Sequence, residues 1–378
     1  MAKSTTVTSA AGTRDSLEGL RIAIVHPFLI SQGGGEKVID ALARMFPDAE
    51  FFALLLDRSS LSGQMQGRTI HTTALSRFPR LKRFYQHLSP LYDLAVRQFD
   101  LRGFDVVISS GGPGAKTIRV DPGCLHIHYC HSPVRYLWDQ YEVWLKRLPV
   151  AMRPLFALSA RRQRARDFAA AQRVDTFIAN SNYIGARIRR YYQRDSITIY
   201  PPVVVDRPLS PAERGDYYLT VGRLVPGKRT DLLVEACNRL GRRLLVAGQG
   251  PEYEALKAAA GPTVEVLGRV DDAVLDDLYL NARAFLFAAD EDFGIATVEA
   301  QSYGLPAIAY GHGGSLEILE NGTDSVLFAE QTVDAVAAAI RDFEAREAEF
   351  RADGIRRRAQ RFSEEVFIKG IRDVVLKR

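Results

Sequence analysis

The 378-residue sequence predicts an α/β protein built from two doubly wound domains in tandem, with an interdomain cleft for ligand. Three observations carry this expectation. Short apolar, β-branched runs alternate with amphipathic segments; the alternation stops at a proline-rich stretch, 201–215; it then resumes with a second set of runs.

In the first half the runs at 21–27, 50–55, 106–110, 125–130, 176–180 and 197–200 read as strands. Runs this apolar describe a parallel sheet covered on both faces. Helical periodicity lies between them at 36–45 and 181–192, with Ser181 as N-cap of the latter. Residues 201–215 carry four prolines and no period. The second set of strands is expected at 217–221, 244–247, 264–267, 284–288, 307–310 and 325–328, with helices at 230–240 and 272–281 among the connections. The domain limits that follow are a mobile tail 1–18, a first domain 19–204, a linker 205–215, a second domain 216–360, and a C-terminal helix 361–378 packing back toward the first domain. In doubly wound sheets ligands bind outside the carboxyl ends of the strands, so the facing ends of the two domains are the expected site.

Composition excludes several classes. At 47% hydrophobic and 25% charged, the chain can bury real cores. No run approaches 18 apolar residues, and the polar residues 1–18 lack an apolar signal core. Three widely spaced cysteines, Cys124, Cys130 and Cys237, make no disulfide framework and suit a reducing, cytoplasmic compartment. Residues 1–205 hold 28 Lys/Arg against 16 Asp/Glu, a balance of +12, while the remainder of the chain is acidic. A basic first half favours an anionic partner, although uneven surface decoration gives the same count.

The segment 289–304 (ADEDFGIATVEAQSYG) carries the most chemistry. It follows an apolar run and opens a helix near Gly294. Glu291 lies before the helix and Glu299 one to two turns inside it, so both reach a ligand over the helix N-terminus. The backbone N–H groups of Gly294, Ile295 and Ala296 make that terminus a phosphate seat. Taken alone, the carboxylates would equally serve the helix dipole. Arg223 and Lys228, five apart across a Pro-Gly turn after 217–221, suit a diphosphate leaving group; a solvated loop is the plainer alternative. Gly33, Gly34 and Gly35 remove side chains where a loop enters a helix, but lack dinucleotide-fingerprint spacing, as does the Gly111–Gly114 cluster. His126, His128 and His131 have spacing compatible with metal ligands, as do Asp290 and Asp292, but His126 and His128 read better as packed strand residues. The mix of Arg77, Arg80, Lys82, Arg83 and Arg97 with Phe78, Phe84, Tyr85, Leu88, Leu91 and Tyr92 suits an anionic membrane surface; so does a second basic stretch, 146–166. A solvated helix face remains open for each. No nucleic-acid module is present, so nucleic acid is not an expected partner.

Together these motifs resemble glycosyltransferase family four (group 1), which has the GT-B fold of two Rossmann-like domains. Glu291 to Glu299, followed by A-Q-S-Y-G-L-P, resembles its E-x7-E signature. Val221-Gly222-Arg223-Leu224 with Lys228 resembles its donor-phosphate loop, Gly33-Gly34-Gly35-Glu36 its N-terminal glycine loop, and Tyr129-Cys130-His131-Ser132-Pro133 its active-site histidine segment.

The resemblance implies a retaining, metal-independent transferase needing no cofactor beyond a nucleotide-sugar co-substrate. The first domain would bind the acceptor and the second the donor. Catalytic roles fall to His131, Glu291, Arg223 and Lys228. Donor binding falls to Gly34, Gly35, Arg223, Lys228, Val270, Phe293, Gly294, Ile295, Ala296 and Glu299. The segment from Tyr129 to Tyr141 resembles bacterial mannosyltransferases of polysaccharide assembly. That implies GDP-mannose as donor, a polyprenyl-diphosphate-linked saccharide as acceptor, and peripheral attachment to the inner face of the cell membrane. A UDP-sugar donor, a soluble acceptor, a nucleotide-sugar epimerase and a non-catalytic sugar-nucleotide-binding protein stay open.

Overall fold

The computed structural model describes residues 16–31, 33–78, 89–209 and 214–377. Two compact units emerge. The first comprises residues up to Ala179, Arg187–Ile199 and Phe367–Arg378; the second comprises Asn180–Ala186 and Tyr200–Val366.

The first unit holds β1 (Ile22–Val25), β2 (Phe28–Leu29), β3 (Glu50–Ala53), β4 (Leu55–Leu56), β5 (Ile70–Thr72), β6 (Val106–Ser110), β7 (Leu125–Cys130), β8 (Thr176–Ala179) and β9 (Ile197–Thr198). Seven of them form one parallel sheet in the order β5-β3-β1-β6-β7-β8-β9. Ile22–Val25 and Val106–Ser110 are buried throughout, as the continuous apolar runs require of strands covered on both faces. The predicted run 50–55 divides into β3 and β4, and β2 lies just beyond the predicted run 21–27. β2 and β4 leave the main sheet and pair with each other, beginning where Leu55 N–H donates to the Pro27 carbonyl. β5 escaped prediction because three residues with His71 and Thr72 exposed show no period. Helix Gly34–Met45 buries Val38, Ile39, Ala41, Leu42 and Ala43 against the sheet.

In helix Glu364–Leu376, Phe367, Ile371, Val374 and Val375 enter the core of the first unit. Leu17, inside the expected tail, packs against the same core; residues 1–15 of that tail lie outside the described residues.

The second unit is a six-stranded parallel sheet of β10 (Tyr217–Val221), β11 (Arg243–Ala247), β12 (Val264–Gly268), β13 (Ala284–Phe287), β14 (Ala307–Tyr310) and β15 (Ser325–Phe328), in the order β12-β11-β10-β13-β14-β15. Helices Thr230–Leu240 and Val333–Arg346 supply Leu232, Leu233, Val336, Ile340 and Phe343 to its core. The proline-rich stretch begins inside this unit. Val203 and Val205 are buried in its core and Val203 N–H donates to the Phe362 carbonyl, so two apolar anchors outweigh the missing period. Residues 210–213 of the expected linker lie outside the described residues. No helix among the described residues is long and apolar enough to cross a membrane.

Candidate active site

Each sheet has one topological switch point, where the chain reverses its direction of winding. In the first unit it falls between β1 and β6. His26 leaves β1 there, Gly111 leaves β6, and His131 leaves the adjacent β7. The Ser110 hydroxyl lies 2.9 Å from His131 Nε2, and the Ser110 carbonyl 3.1 Å from His26 Nδ1. The two imidazoles meet edge to face, 6.5 Å between centroids.

Burial, and secondarily His26, pushes His131 down to about 3; burial pushes His26 down to about 4, against the bond to the Ser110 carbonyl. Both rings are therefore neutral at physiological pH. Gly35, the second residue of helix Gly34–Met45, lies beside them, and a Cβ there would sit 3.6 Å from His26 Cε1 and 3.7 Å from His131 Nε2. Those are ordinary contact distances, so packing within the protein does not demand glycine at 35. The chain after His131 is pinned by Trp138 Nε1–H, which donates to Asp167 at 2.9 Å; Asp167 is buried and ion-paired with Lys116.

In the second unit the switch point lies between β10 and β13. Gly222, Arg223 and Lys228 follow β10, and Asp290 and Glu291 follow β13, so the winding itself brings the cationic and acidic loops together. Lys228 Nζ is ion-paired with Glu291 and lies 5.6 Å from the Phe287 ring centre. Arg223 is exposed on the same loop. Both loops are fixed by close backbone approach. A Cβ on Gly248 would lie 1.8 Å from the Gly222 carbonyl oxygen, and one on Gly314 would lie 2.3 Å from the Phe293 carbonyl oxygen. Only glycine fits either place.

Helix Ile295–Ser302 begins at Gly294, whose φ of 108° no side chain readily adopts, and no side chain caps it. Its amide end is close in sequence to Glu291, the acidic member of the pair. Glu299 lies partly exposed on this helix, with the Tyr279 hydroxyl 3.5 Å from Oε2; Tyr279 in turn stacks on Tyr303 at 5.3 Å. Ile295 and Ala296 are half-buried, as is Val270 beyond β12.

Phe293 requires a correction. Its side chain is buried, stacked on Tyr200 at 5.6 Å and edge-on to Phe362, so it belongs to the core and only its backbone is left for a ligand.

His126 and His128 are both buried, and both bond the Ser109 hydroxyl, at 2.8 and 2.9 Å. They face Ser109 from one side of β7, as the alternation of a strand requires. Asp290 pairs with His312 at 2.9 Å, and the Asp292 carbonyl accepts the Ser181 hydroxyl at 2.6 Å. Ser181 Oγ also accepts Ile184 N–H at 3.1 Å, the predicted N-cap. Among the described residues no group of three or more His, Cys, Asp or Glu is arranged around a metal position. Of the basic-aromatic stretch, Arg80, Lys82, Arg83, Phe84, Tyr85 and Leu88 lie outside the described residues.

Sequence reading missed His26, whose only signal is its position at the end of a buried run, as for His131. It also missed Glu317, which accepts the N–H groups of Asn182 and Tyr183, each at 2.7 Å, and fixes the first turn of helix Asn182–Tyr192. A carboxylate that caps a helix distant in sequence leaves no local pattern.

Comparison with known proteins agrees with this geometry. Residues 32–207 match the profile of Glycosyltransferase Family 4, and residues 206–361 that of Glycosyl transferases group 1. A D-inositol 3-phosphate glycosyltransferase of Geodermatophilus obscurus is 31% identical over 225 residues, half of this chain; the chain spans about half the length of that relative. Among solved structures, the Anabaena Alr3699/HepE protein in complex with UDP superposes with a TM-score of 0.71 at 15% identity, covering 94% of this chain and 99% of its own. Sucrose-phosphate synthase of Thermosynechococcus elongatus gives 0.71 at 19% identity, covering 94% and 98%. With two parallel-sheet units, cation and carboxylate at the second switch point, and the two profiles matched end to end, this chain belongs to the group 1, family 4 type of glycosyltransferases with the GT-B fold.

Proposed function

We propose that the protein is a retaining glycosyltransferase that moves mannose from GDP-mannose to a polyprenyl-diphosphate-linked saccharide at an anionic membrane surface. The observation that carries the transfer chemistry is the Lys228–Glu291 pair at the β10/β13 switch point, beside the uncapped amide end of Ile295–Ser302. Arg223, Lys228 and the amides of Ile295 and Ala296 bind the donor diphosphate. They stabilise the charge that builds on its oxygen as the bond to the sugar C1 breaks. Glu291 orients the sugar hydroxyls, and Glu299 holds the ribose.

The acceptor hydroxyl forms its bond to C1 on the face the diphosphate leaves, and its proton passes to the departing phosphate oxygen. His131, neutral, lends a lone pair rather than a charge to the cationic sugar. Gly34 and Gly35 leave room for the ligand at the helix end.

The GDP-mannose assignment rests on the resemblance of residues 129–141 to bacterial mannosyltransferases. A uridine donor is the second reading, favoured by the UDP complex of the Anabaena protein. A thermal-shift screen separates them, because a ligand at a hundred times its dissociation constant stabilises by about 2.7 kcal/mol. GDP-mannose should give the largest shift; a larger shift with UDP-sugars moves the reading to a uridine donor. Transfer of radiolabelled sugar to extracted lipid-linked saccharides then tests turnover, and a bound donor without transfer contradicts catalysis.

Membrane attachment is supported by exposed Val143, Val150, Met152, Leu155 and Leu158, interleaved with Lys146, Arg147, Arg153, Arg161 and Arg162. Apolar side chains among cations match an anionic lipid surface. Co-sedimentation with anionic vesicles should weaken from 0.1 to 1 M salt, as the screening length falls from about 10 to about 3 Å. Indifference to vesicle charge would leave a soluble acceptor.

A further inference from the structure

A cavity of about 820 Å³ in the first unit takes no part in the site described above. Leu91, Asp93, Leu94 and Arg97 line it from one side, Arg119 from the loop before β7, and Arg166 and Arg173 from helix Arg153–Ala171 and the turn that ends it. Its position in the fold separates it from the active site. His126, in its wall, is the second residue of β7, whereas His131 follows the last. Five residues of extended chain are roughly 16 Å, so the cavity opens near the opposite end of the strand.

Four guanidinium groups share this space with one carboxylate, Asp93. Among the described residues none of Arg97, Arg119, Arg166 and Arg173 has an ion-pair partner; Arg173 bonds only the Ala169 carbonyl, at 3.3 Å. Cations that converge from three segments without ion-pair partners among the described residues repel one another, an arrangement that an anion relieves. Guanidinium forks match the oxygens of a phosphate. Leu91 and Leu94 are 48% and 65% exposed, which gives the cavity an apolar wall that a small hydrophilic anion would not use.

From this arrangement we infer that the cavity between Leu91–Arg97 and Arg166–Arg173 binds the phosphate of an anionic phospholipid, with Leu91 and Leu94 against its glycerol and acyl carbons. This deepens the membrane part of the proposed function, since it assigns a head-group site separate from the apolar residues at 143–158. The remoteness of the cavity from His131 leaves the acceptor free to occupy the active site while the lipid is bound.

The test uses the full chain, vesicles of phosphatidylcholine with and without phosphatidylglycerol, and inorganic phosphate as a separate ligand. Wild type should bind the anionic vesicles. Arg119→Glu with Arg166→Glu should bind them on the order of thirtyfold or more weakly, from two lost contacts. Arg119→Gln with Arg166→Gln guards against misfolding and should lose most of the same affinity at an unchanged melting temperature. Donor binding should be the same in all three proteins. Vesicle binding by both variants equal to wild type overturns the cavity assignment and leaves the membrane reading on 143–158. Inorganic phosphate bound as tightly as vesicles, and lost in the variants, overturns the lipid in favour of a soluble anion. Failure of wild type to bind anionic vesicles overturns both readings.

Discussion

Lys228 and Glu291 form an ion pair between the loop that follows β10 and the loop that follows β13. The two residues are 63 apart in sequence, and it is the reversal of winding between these neighbouring strands that joins them. The proposed function makes both members part of one donor site, with the cation toward the diphosphate and the carboxylate toward the sugar.

Their effects on turnover should therefore be coupled. Lys228→Ala should lower kcat about a hundredfold or more, the scale for losing a preorganised charge contact. Glu291→Gln should lower it too, and the double variant should fall well short of the product of the single effects. Steady-state kinetics of the four proteins measure this. Independent, multiplicative losses would mean that the pair does not act as a unit.

Gly35 offers a separation of stability from activity. It lies in the first turn of Gly34–Met45, and an added Cβ meets nothing closer than 3.6 Å. Alanine in place of glycine in a helix is favourable by up to about 1 kcal/mol. Gly35→Ala should hold or raise the melting temperature while lowering turnover, because the new methyl group occupies space before His131. An active Gly35→Ala enzyme would remove the glycine loop from the site.

The first unit should be acid-labile. His26 is lowered from 6.5 to about 4, and His126 and His131 to about 3, chiefly by burial; His128 is lowered well below its ordinary value, also by burial. The unfolded chain takes up protons at these rings as pH falls through 6.5, while the folded chain does not until the lowered values. Stability is thus complete above about pH 6.5 and lost progressively below it. The slope approaches about 1.4 kcal/mol per pH unit for each ring. Urea titrations from pH 7.5 to pH 4.5 should show the loss; a flat profile would contradict buried neutral histidines.

Transfer should persist in excess chelator, since the diphosphate is met by Arg223, Lys228 and helix amides. Turnover in EDTA measures this. Loss of activity restored by Mn²⁺ would return Asp290 and Asp292 to consideration as ligands.

The sequence made much of this legible. Strands buried on both faces write themselves as continuous apolar runs, so all six strands of the second sheet were readable within a residue or so at each end, whereas β5, short and half-exposed at an edge, was not. Arg223, Lys228 and Glu291 follow strands and Glu299 stands in the second turn of a helix whose start was readable, so the pattern could offer each as a candidate. What the pattern withholds is direction and partnership. Phe293 sits within the signature yet turns into the core against Tyr200. His26 approaches His131 only through the pairing of β1, β6 and β7. Gly248 and Gly314 serve backbones that are 26 and 21 residues away, and no local motif records a contact made at that range.

In the proposed function the β10 and β13 loops hold the donor diphosphate, which isothermal titration with GDP-mannose measures directly. The wild type should show one site, and Lys228→Ala and Arg223→Ala should each bind on the order of tenfold or more weakly, with the heat of unfolding unchanged. Equal affinity for GDP-mannose in the wild type and both variants would contradict it.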